Sequence, residues 1–393
     1  MYKSLAVFCL GAALSVASAS AQVSPSTDSQ SNSSSTGPVA YVYVASSPGS
    51  GQPNVIVGYS AAANGALTPI PGSPFQQNVG SMAVNGKYMM AVDGSSSPPN
   101  IDTLQIGSNG ALTYVTSTTC DQSSNGCLAA FNVFFDHTGS DLYLMQFDEN
   151  TNDETESFAV NNSSGDLTYL GNTVSGAFPG DYTGTFFIGD NVYAYSADQS
   201  GCMYPGIYSY QRESSGLLNL IGAQYISPTP PPGVRTYYPD LAVADPASNI
   251  AILEQPANPP GCAPGPIQVA VFTADASGNL ATNSTYKDMP PTLVSSPYDM
   301  KMSPSGKLLA VGGTEGLQVF HFNGSGPVTK YTGLLVTDPI TQMFWDNNNH
   351  LYAISSVGKL YVIAITPTRR AMAPGSPYSI TGPQYVIVQP LTP

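Results

Sequence analysis

Basic side chains are scarce in this sequence. Lysine and arginine number 11 against 25 aspartates and glutamates, charged residues make up only 9% of the chain, and the pI is near 4.3. A surface this acidic repels polyanions, which makes nucleic acids and anionic membranes poor partners. The partner classes that remain are cations, small polar ligands such as neutral sugars, glycans and other proteins.

The short motifs of common enzymes are also missing. The chain has no G-x-S-x-G elbow, no H-E-x-x-H, no phosphate-binding loop and no G-x-G-x-x-G. Its three histidines, His137, His321 and His350, each fall in or beside a predicted turn, so we expect turn or surface residues. No Ser-His-Asp or Cys-His arrangement is supported, and the sequence assigns no catalytic residue.

Long apolar segments are absent apart from one near the N-terminus. Lys3 precedes the apolar residues 5–16, and Ala19-Ser20-Ala21 forms an A-x-A cleavage site, which predicts a signal peptide over residues 1–21. The apolar run is too short to span a bilayer. Gln22 follows the cut and no cysteine stands there, which argues against a lipid anchor. Residues 22–38 are predicted to be a Ser-rich disordered spacer. The mature protein is expected to be secreted or periplasmic, without a membrane span.

Two short phrases alternate along the rest of the chain. The first is an apolar strand, a tight turn and a second strand rich in Tyr, Leu and Val, as in residues 134–145, 302–311 and 344–354. Looser copies begin at Met82, Phe187 and Ala242. A seventh copy is split, with one strand in AYVYVA (residues 40–45) and the other in QYVIV (residues 384–388). A repeat divided between the two ends of a chain is typical of a closed ring.

The second phrase is a polar turn that contains Gly, then any residue, then Leu or Val. Successive copies lie 45 to 62 residues apart, at Gly65, Gly110, Gly165, Gly216, Gly278 and Gly326. Propeller blades of four strands repeat at roughly 40–50 residues, and strict apolar alternation marks strands. The sequence therefore predicts an all-β, seven-bladed β-propeller of four-stranded blades over residues 39–393, with one blade closed by both termini.

Within each blade the two phrases are the a–b and c–d hairpins, so the long loops gather on the opposite face of the ring. Cys9 leaves with the signal, and the other four cysteines fall in those loops. An even number in an exported chain, with no C-x-x-C spacing, favours disulfides over metal binding. Cys120 and Cys127 share one loop, whereas Cys202 and Cys262 occupy corresponding loops of adjacent blades. The predicted pairs are therefore Cys120–Cys127 and Cys202–Cys262.

A polar residue recurs three positions before the last apolar residue of each innermost strand. The set is Ser81, Asn132, Thr185, Asp240, Asp299 and Gln342, with Gln384 before the split strand. These positions lie at the channel end nearest the long loops. A polar ring there suits a metal ion, ordered water or a small polar ligand. The alternative is that channel residues are polar because they face water.

Within that ring, Asp240 and Asp299 are the candidate metal ligands, for a divalent cation such as calcium. Arg235, Tyr237 and Tyr182 stand just before innermost strands and are candidate rim contacts for a sugar or peptide, with loop packing as the alternative.

A second acidic run, residues 148–154, matches the first ligands of a calcium loop at Asp148, Asn150 and Asn152. The match fails at Asp153 and Ala159, where the motif needs Gly and Glu, so a solvated loop is expected.

The phrases SPSGKLLAV, HTGSDLYLM and YVYVAS resemble those of the seven-bladed propeller lactonase family, whose best-known members are 6-phosphogluconolactonase-like. The resemblance covers about residues 39 to 389. It implies a propeller and lactone hydrolysis by His and Arg with a carboxylate in the channel mouth. Here only carboxylates, Asp240 and Asp299, match that pattern, and Arg235 and Lys287 are the chief bases of the long-loop face.

Two functions follow from these observations. The first is an exported, non-catalytic binding or scaffold propeller with a polar-ligand or cation site at the channel mouth, because the loop face has few bases and no nucleophile constellation. The alternative is a lactonase-type hydrolase that acts on an uncharged lactone, with or without a metal ion.

Overall fold

The computed structural model describes residues 37–49, 52–120, 122, 126–148, 153–174, 185–197, 202 and 206–391. The predicted signal peptide, residues 1–21, and most of the predicted spacer lie outside this part. The described residues form strands and turns without a helix, so no helix among them could cross a membrane.

The strands are numbered in chain order. They are β1 (Ala40–Ser46), β2 (Val55–Ala61), β3 (Leu67–Pro69), β4 (Phe75–Gln76), β5 (Met82–Val84), β6 (Tyr88–Asp93), β7 (Asn100–Ile106), β8 (Leu112–Thr119), β9 (Ala129–Phe135), β10 (Asp141–Phe147), β11 (Asp153–Val160), β12 (Leu167–Val174), β13 (Phe186–Phe187), β14 (Tyr193–Ala197), β15 (Ile207–Arg212), β16 (Leu218–Gln224), β17 (Thr236–Ala244), β18 (Asn249–Asn258), β19 (Gly261–Cys262), β20 (Gln268–Ala274), β21 (Leu280–Ala281), β22 (Pro297–Met302), β23 (Leu308–Gly313), β24 (Gly316–Asn323), β25 (Gly326–Val336), β26 (Ile340–Trp345), β27 (His350–Ser355), β28 (Lys359–Ile365), β29 (Arg370–Met372), β30 (Tyr378–Ser379) and β31 (Pro383–Pro390).

These strands form seven antiparallel sheets of four main strands, and β4, β19 and β30 are short additions to three of them. The innermost strands, in ring order, are β31, β5, β9, β13, β17, β22 and β26. The predicted seven-bladed propeller is confirmed. The split blade is confirmed as well, because β31 pairs with β1, with Val386 opposite Val44 and Val388 opposite Val42. Below, each blade is numbered from the blade that contains β1.

Both predicted disulfides are present in the structure. Cys120 is bonded to Cys127, and Cys202 is bonded to Cys262, with Cα atoms 5.9 and 5.1 Å apart. The second bond joins loops of blades 4 and 5, so it links neighbouring blades covalently on the long-loop face.

Tyrosine hydroxyls connect the first five blades. The hydroxyl of Tyr43 in blade 1 donates to the Gly110 carbonyl in the c–d turn of blade 2, at 2.7 Å. Equivalent bonds join Tyr143 to Gly216 (2.8 Å) and Tyr195 to Gly278 (2.9 Å). Between blades 2 and 3, the Tyr88 hydroxyl reaches the Ser163 carbonyl, beside the turn glycine. The second sequence phrase therefore marks points of contact between blades as well as turns.

The turn glycines are needed for two separate reasons. Gly110 and Gly278 have φ angles of +82° and +77°, a conformation that side chains disfavour. A Cβ atom would also lie 2.7 Å from the Tyr41 ring at Gly110 and 2.6 Å from the Tyr193 ring at Gly278. Because these turns pack closely against the neighbouring blade, the carbonyls of Gly110 and Gly278 can accept from the hydroxyls of Tyr43 and Tyr195.

Two expectations about polar residues are wrong. His350, expected in a turn or at the surface, is 2% exposed, and its Nδ1 lies 2.7 Å from Asp346 Oδ2, which also accepts from the Tyr352 hydroxyl. The acidic run 148–154, expected to be a solvated loop, has buried side chains at Asp148, Asp153 and Glu154. Residues 149–152 of this run lie outside the described part. Sequence spacing alone did not show that neighbouring strands and loops cover these groups.

Glu254 in β18 is a buried acid without a hydrogen-bond partner among the described residues. It is 1% exposed, and neither carboxyl oxygen is bonded. Its cross-strand neighbours are Pro239, which has no N–H, and Gln268, whose amide is bonded to the Tyr237 hydroxyl and to backbone carbonyls. Burial, and then the charge of Asp240, raise the pKa of Glu254 well above its ordinary value.

Gly278→Ala is expected to lower the free energy of unfolding by about 2–5 kcal/mol, because it combines left-handed strain with overlap on the Tyr193 ring. The matched control is Gly233→Ala, which has φ +87° but no atom within 4 Å of the added Cβ, and should cost only about 1–2 kcal/mol. Denaturant unfolding measures both. Equal losses would contradict a packing role for the turn glycine.

Glu254→Gln is expected to stabilise the protein at pH 8 by about 1–3 kcal/mol, since it removes a buried acid that loses its proton as pH rises. Because the pKa of Glu254 is raised in the folded state, its protonated form contributes fully to stability below pH 4.5, the ordinary pKa of a glutamate. That contribution is lost as pH rises through the raised pKa. The gain should therefore shrink toward pH 4.5. Thermal melts across pH test this, with the exposed Glu213→Gln as control. A pH-independent loss of stability would disprove it.

Candidate functional site

The innermost strands enclose a cavity of about 280 Å³ in the central channel. Every blade contributes to its wall, which is formed by residues 82–84, 132–135, 185–186, 241–243, 299–301, 344, 385 and 387. A cavity of this size, largely apolar with a few convergent polar groups, is typical of a small-molecule site.

The charged centre of the cavity is an ion pair in β22. Strand alternation places Asp299 and Lys301 on the same side, and Lys301 Nζ lies 3.1 Å from Asp299 Oδ1. The two side chains are 12% and 34% exposed, respectively, so the ammonium group is the more accessible partner. Asp299 also accepts from the backbone N–H groups of Met300 (3.0 Å) and Met343 (2.7 Å).

The ionisable groups of this centre influence one another. Burial raises the pKa of Asp299, and the Lys301 charge and the two backbone N–H bonds only partly oppose it. Burial would lower the pKa of Lys301, but the charges of Asp299 and then Tyr385 outweigh burial and raise it. Burial also raises the pKa of the Tyr385 hydroxyl. The arrangement combines a carboxylate of increased basicity with an ammonium group that stays charged.

Two members of the predicted polar ring join adjacent blades. Asp299 accepts from the Met343 N–H, and Gln342 accepts from the Val386 N–H, in each case 44 residues along the chain. The Gln342 amide also hydrogen bonds to the Tyr385 hydroxyl. An innermost strand has no strand beyond it to satisfy its backbone, so polar side chains at this position fill that need. This accounts for part of the polar ring without any ligand.

The other ring positions are placed differently. Asn132 and Thr185 line the cavity, and the Thr185 hydroxyl lies 3.5 Å from the Met145 sulfur. Ser81 is 3% exposed, does not line the cavity, and its hydroxyl has no partner among the described residues. Gln384 is exposed and lies outside the cavity.

Asp240 lies one position away from the cavity wall. Strand β17 continues to Ala244, so counting three residues back gives Leu241, which lines the cavity. Asp240 falls in a bulge between Pro239 and Ala242, beside Glu254. The cavity wall therefore contains Asp299 but not Asp240, and a cation shared by the two stays a prediction. Among the described residues, no cluster of three or more His, Cys, Asp or Glu side chains could hold a metal ion.

The structure describes two of the three predicted rim residues, and these two differ in exposure. Arg235 is exposed, and its backbone N–H donates to Asn258 Oδ1 at 2.8 Å. Tyr237 is fully buried, and its hydroxyl donates to Gln268 Oε1 at 2.7 Å. Burial, and then the charge of Glu254, raise the pKa of Tyr237 to about 12. Tyr182 lies outside the described residues. Contact of these residues with a ligand stays a prediction.

Sequence reasoning missed Lys301 and Tyr385. The signal for Lys301 was present, because Asp-Met-Lys at 299–301 puts two opposite charges two residues apart in a strand. Tyr385 was missed because the split strand was represented by Gln384, one residue too early.

No protein-family model and no curated protein matches the chain. Solved structures do match over most of its length. A protein from Lactobacillus plantarum aligns with a TM-score of 0.66 and 14% identity, over 90% of this chain and 100% of that one. A proposed 6-phosphogluconolactonase from Bacteroides uniformis gives 0.63 and 14%, over 89% and 99%. The periplasmic gluconolactonase PpgL of Pseudomonas aeruginosa gives 0.62 and 13%, over 90% and 99%.

At such low identity these matches establish the fold alone. The resemblance drawn from the repeats is therefore confirmed at that level. This chain has the seven-bladed propeller fold that gluconolactonase-like structures have.

Proposed function

We propose that the protein is a lactonase-type hydrolase that acts on an uncharged lactone in the channel cavity. The observation that carries this proposal is the Asp299–Lys301 pair on the cavity wall, where a base and a cation face a space of substrate size. The similar folds of a gluconolactonase and of a proposed 6-phosphogluconolactonase support it.

The pair supplies what ester hydrolysis needs. Water adds to the lactone carbonyl carbon, the ring C–O bond breaks, and the ring oxygen leaves as a hydroxyl, so the product is a hydroxy acid. Asp299 takes the proton from the attacking water and returns it to the departing oxygen. Lys301 stabilises the negative charge that develops on the carbonyl oxygen.

The charge balance favours an uncharged substrate. Lys301 is the only basic side chain among the described residues that line the cavity, and Asp299 already neutralises it. A phosphorylated lactone would need several uncompensated cations.

An exported location is part of the proposal. Two disulfides in a chain of this size are typical of oxidising compartments, and PpgL is described as periplasmic. The predicted signal peptide agrees with this location.

The second candidate is a non-catalytic propeller that binds a polar ligand, glycan, protein or cation. It is favoured by the lack of histidine, cysteine and serine among the described residues of the cavity wall.

Asp299→Asn is expected to lower kcat/KM for an uncharged lactone by about 10²–10⁴-fold, because it removes the general base. In the wild type, kcat/KM should fall with decreasing pH through the pKa of Asp299, which lies above the ordinary 3.8, and this limb should vanish in the variant. Lys301→Met should cost about 10²–10³-fold. Hydrolysis is followed in a pH-stat, with spontaneous hydrolysis subtracted.

Exposed residues outside the cavity provide matched controls. Asp166→Asn and Lys330→Met should leave kcat/KM unchanged. Parallel assays with calcium and with a chelator test metal assistance, and a calcium-dependent rate would favour the metal-assisted version. Wild-type rates equal to buffer for all uncharged lactones would reject the hydrolase and leave the binding propeller.

A further inference from the structure

The cavity wall has two chemically distinct sides. Blades 2 to 5 contribute apolar side chains, with Met82, Val84, Phe134, Phe186, Leu241 and Val243 in ring order. Blade 6 contributes Asp299 and Lys301, and blade 1 contributes Tyr385, beside the apolar side chains of Phe344 in blade 7 and Ile387 in blade 1. A ligand that fills this space meets a polar group at one end and hydrocarbon along most of its length.

Apart from the Lys301 ammonium, which has three N–H groups, the polar side has little hydrogen-bonding capacity to spare. Asp299 is bonded to two backbone N–H groups and to Lys301, while Gln342 is bonded to Val386 and Tyr385. On the apolar side, Thr185 is bonded to a methionine sulfur, so Asn132 is the main polar group there. A polyhydroxylated lactone buried here would leave several hydroxyls without partners, and each such hydroxyl weakens binding.

We propose, on the basis of the function proposed above, that the substrate is a lactone with an apolar substituent, such as an alkyl-substituted γ- or δ-lactone. Its carbonyl lies against Lys301 and Asp299, and its hydrocarbon chain lies along the apolar wall of blades 2 to 5. The product is then a hydroxy acid whose apolar chain still matches the wall and whose new carboxylate leaves toward solvent.

A homologous series of γ-lactones with alkyl chains of increasing length tests the proposal directly. Each added methylene that enters the cavity should raise kcat/KM about fourfold, the factor expected for burying one CH₂ group, until the cavity of about 280 Å³ is full. Glucono-1,5-lactone and its 6-phosphate should be poorer substrates than the long alkyl lactones. A kcat/KM that does not change with chain length, or that is highest for glucono-1,5-lactone, would overturn the assignment.

Val243→Thr probes the wall with almost no change in shape. Val243 is partly buried and lines the cavity. A hydroxyl there should reduce the increase in kcat/KM per added methylene. The effect on kcat/KM for an unsubstituted lactone should be smaller. Val357→Thr, at a site that is 56% exposed, is the matched control and should leave the series unchanged. If the two variants behave alike, the apolar wall does not contact the substrate.

Binding separates failure of this inference from failure of the proposed function. If no lactone is hydrolysed, the hydrolase proposal fails, and calorimetry with cyclic ethers bearing the same alkyl chains decides the ligand class. Affinity that rises with chain length, and rises less in Val243→Thr, supports an apolar ligand. If those ethers do not bind, the inference is overturned as well.

Discussion

Contact between adjacent blades is the interaction on which this structure depends. A single four-stranded sheet has two apolar faces and cannot bury either of them alone. The large apolar clusters accordingly each lie between two neighbouring blades. In the first five blades, tyrosine rings carry the apolar contact, and their hydroxyls fix its register by bonding to turn carbonyls of the next blade. The turns at Gly110 and Gly278 need glycine, because the rings of Tyr41 and Tyr193 lie too close for a side chain.

The channel follows from the same geometry. Closing the ring leaves each innermost strand with a free edge that faces the axis, and Asp299 and Gln342 bond across that edge to the neighbouring strand. The carboxylate that is proposed to act on substrate is therefore also a structural group. Its position is held by the backbone of two blades, which is the kind of support that a reactive group requires.

The architecture could be predicted because the sequence repeats the same strand and turn phrases at regular spacing. Repeated strands and turn glycines gave the blade number, the split blade and the loops that carry the disulfides, and none of these depends on a single residue. The site depends on register, and a shift of one residue changes which side chain lies where. With Val243 taken as the last residue of the innermost strand, the count of three residues back selects Asp240. The strand ends one residue later, at Ala244, and the corresponding residue, Leu241, lines the cavity. The sequence also did not show which polar side chains are buried, since His350 and Glu154 are each only 2% exposed.

The split blade has a consequence for how the molecule forms. Strand β1 is among the first parts of the fold to be made, but its inner partner β31 is among the last, and the Ser46 hydroxyl bonds to a carbonyl 335 residues later. Until β31 arrives, the edge of β1 is unpaired and blade 1 lacks its innermost strand. The entropy needed to join segments so far apart grows only slowly with the length between them. Under the export proposed above, this order means that the ring closes only after β31 has followed the other strands across the membrane.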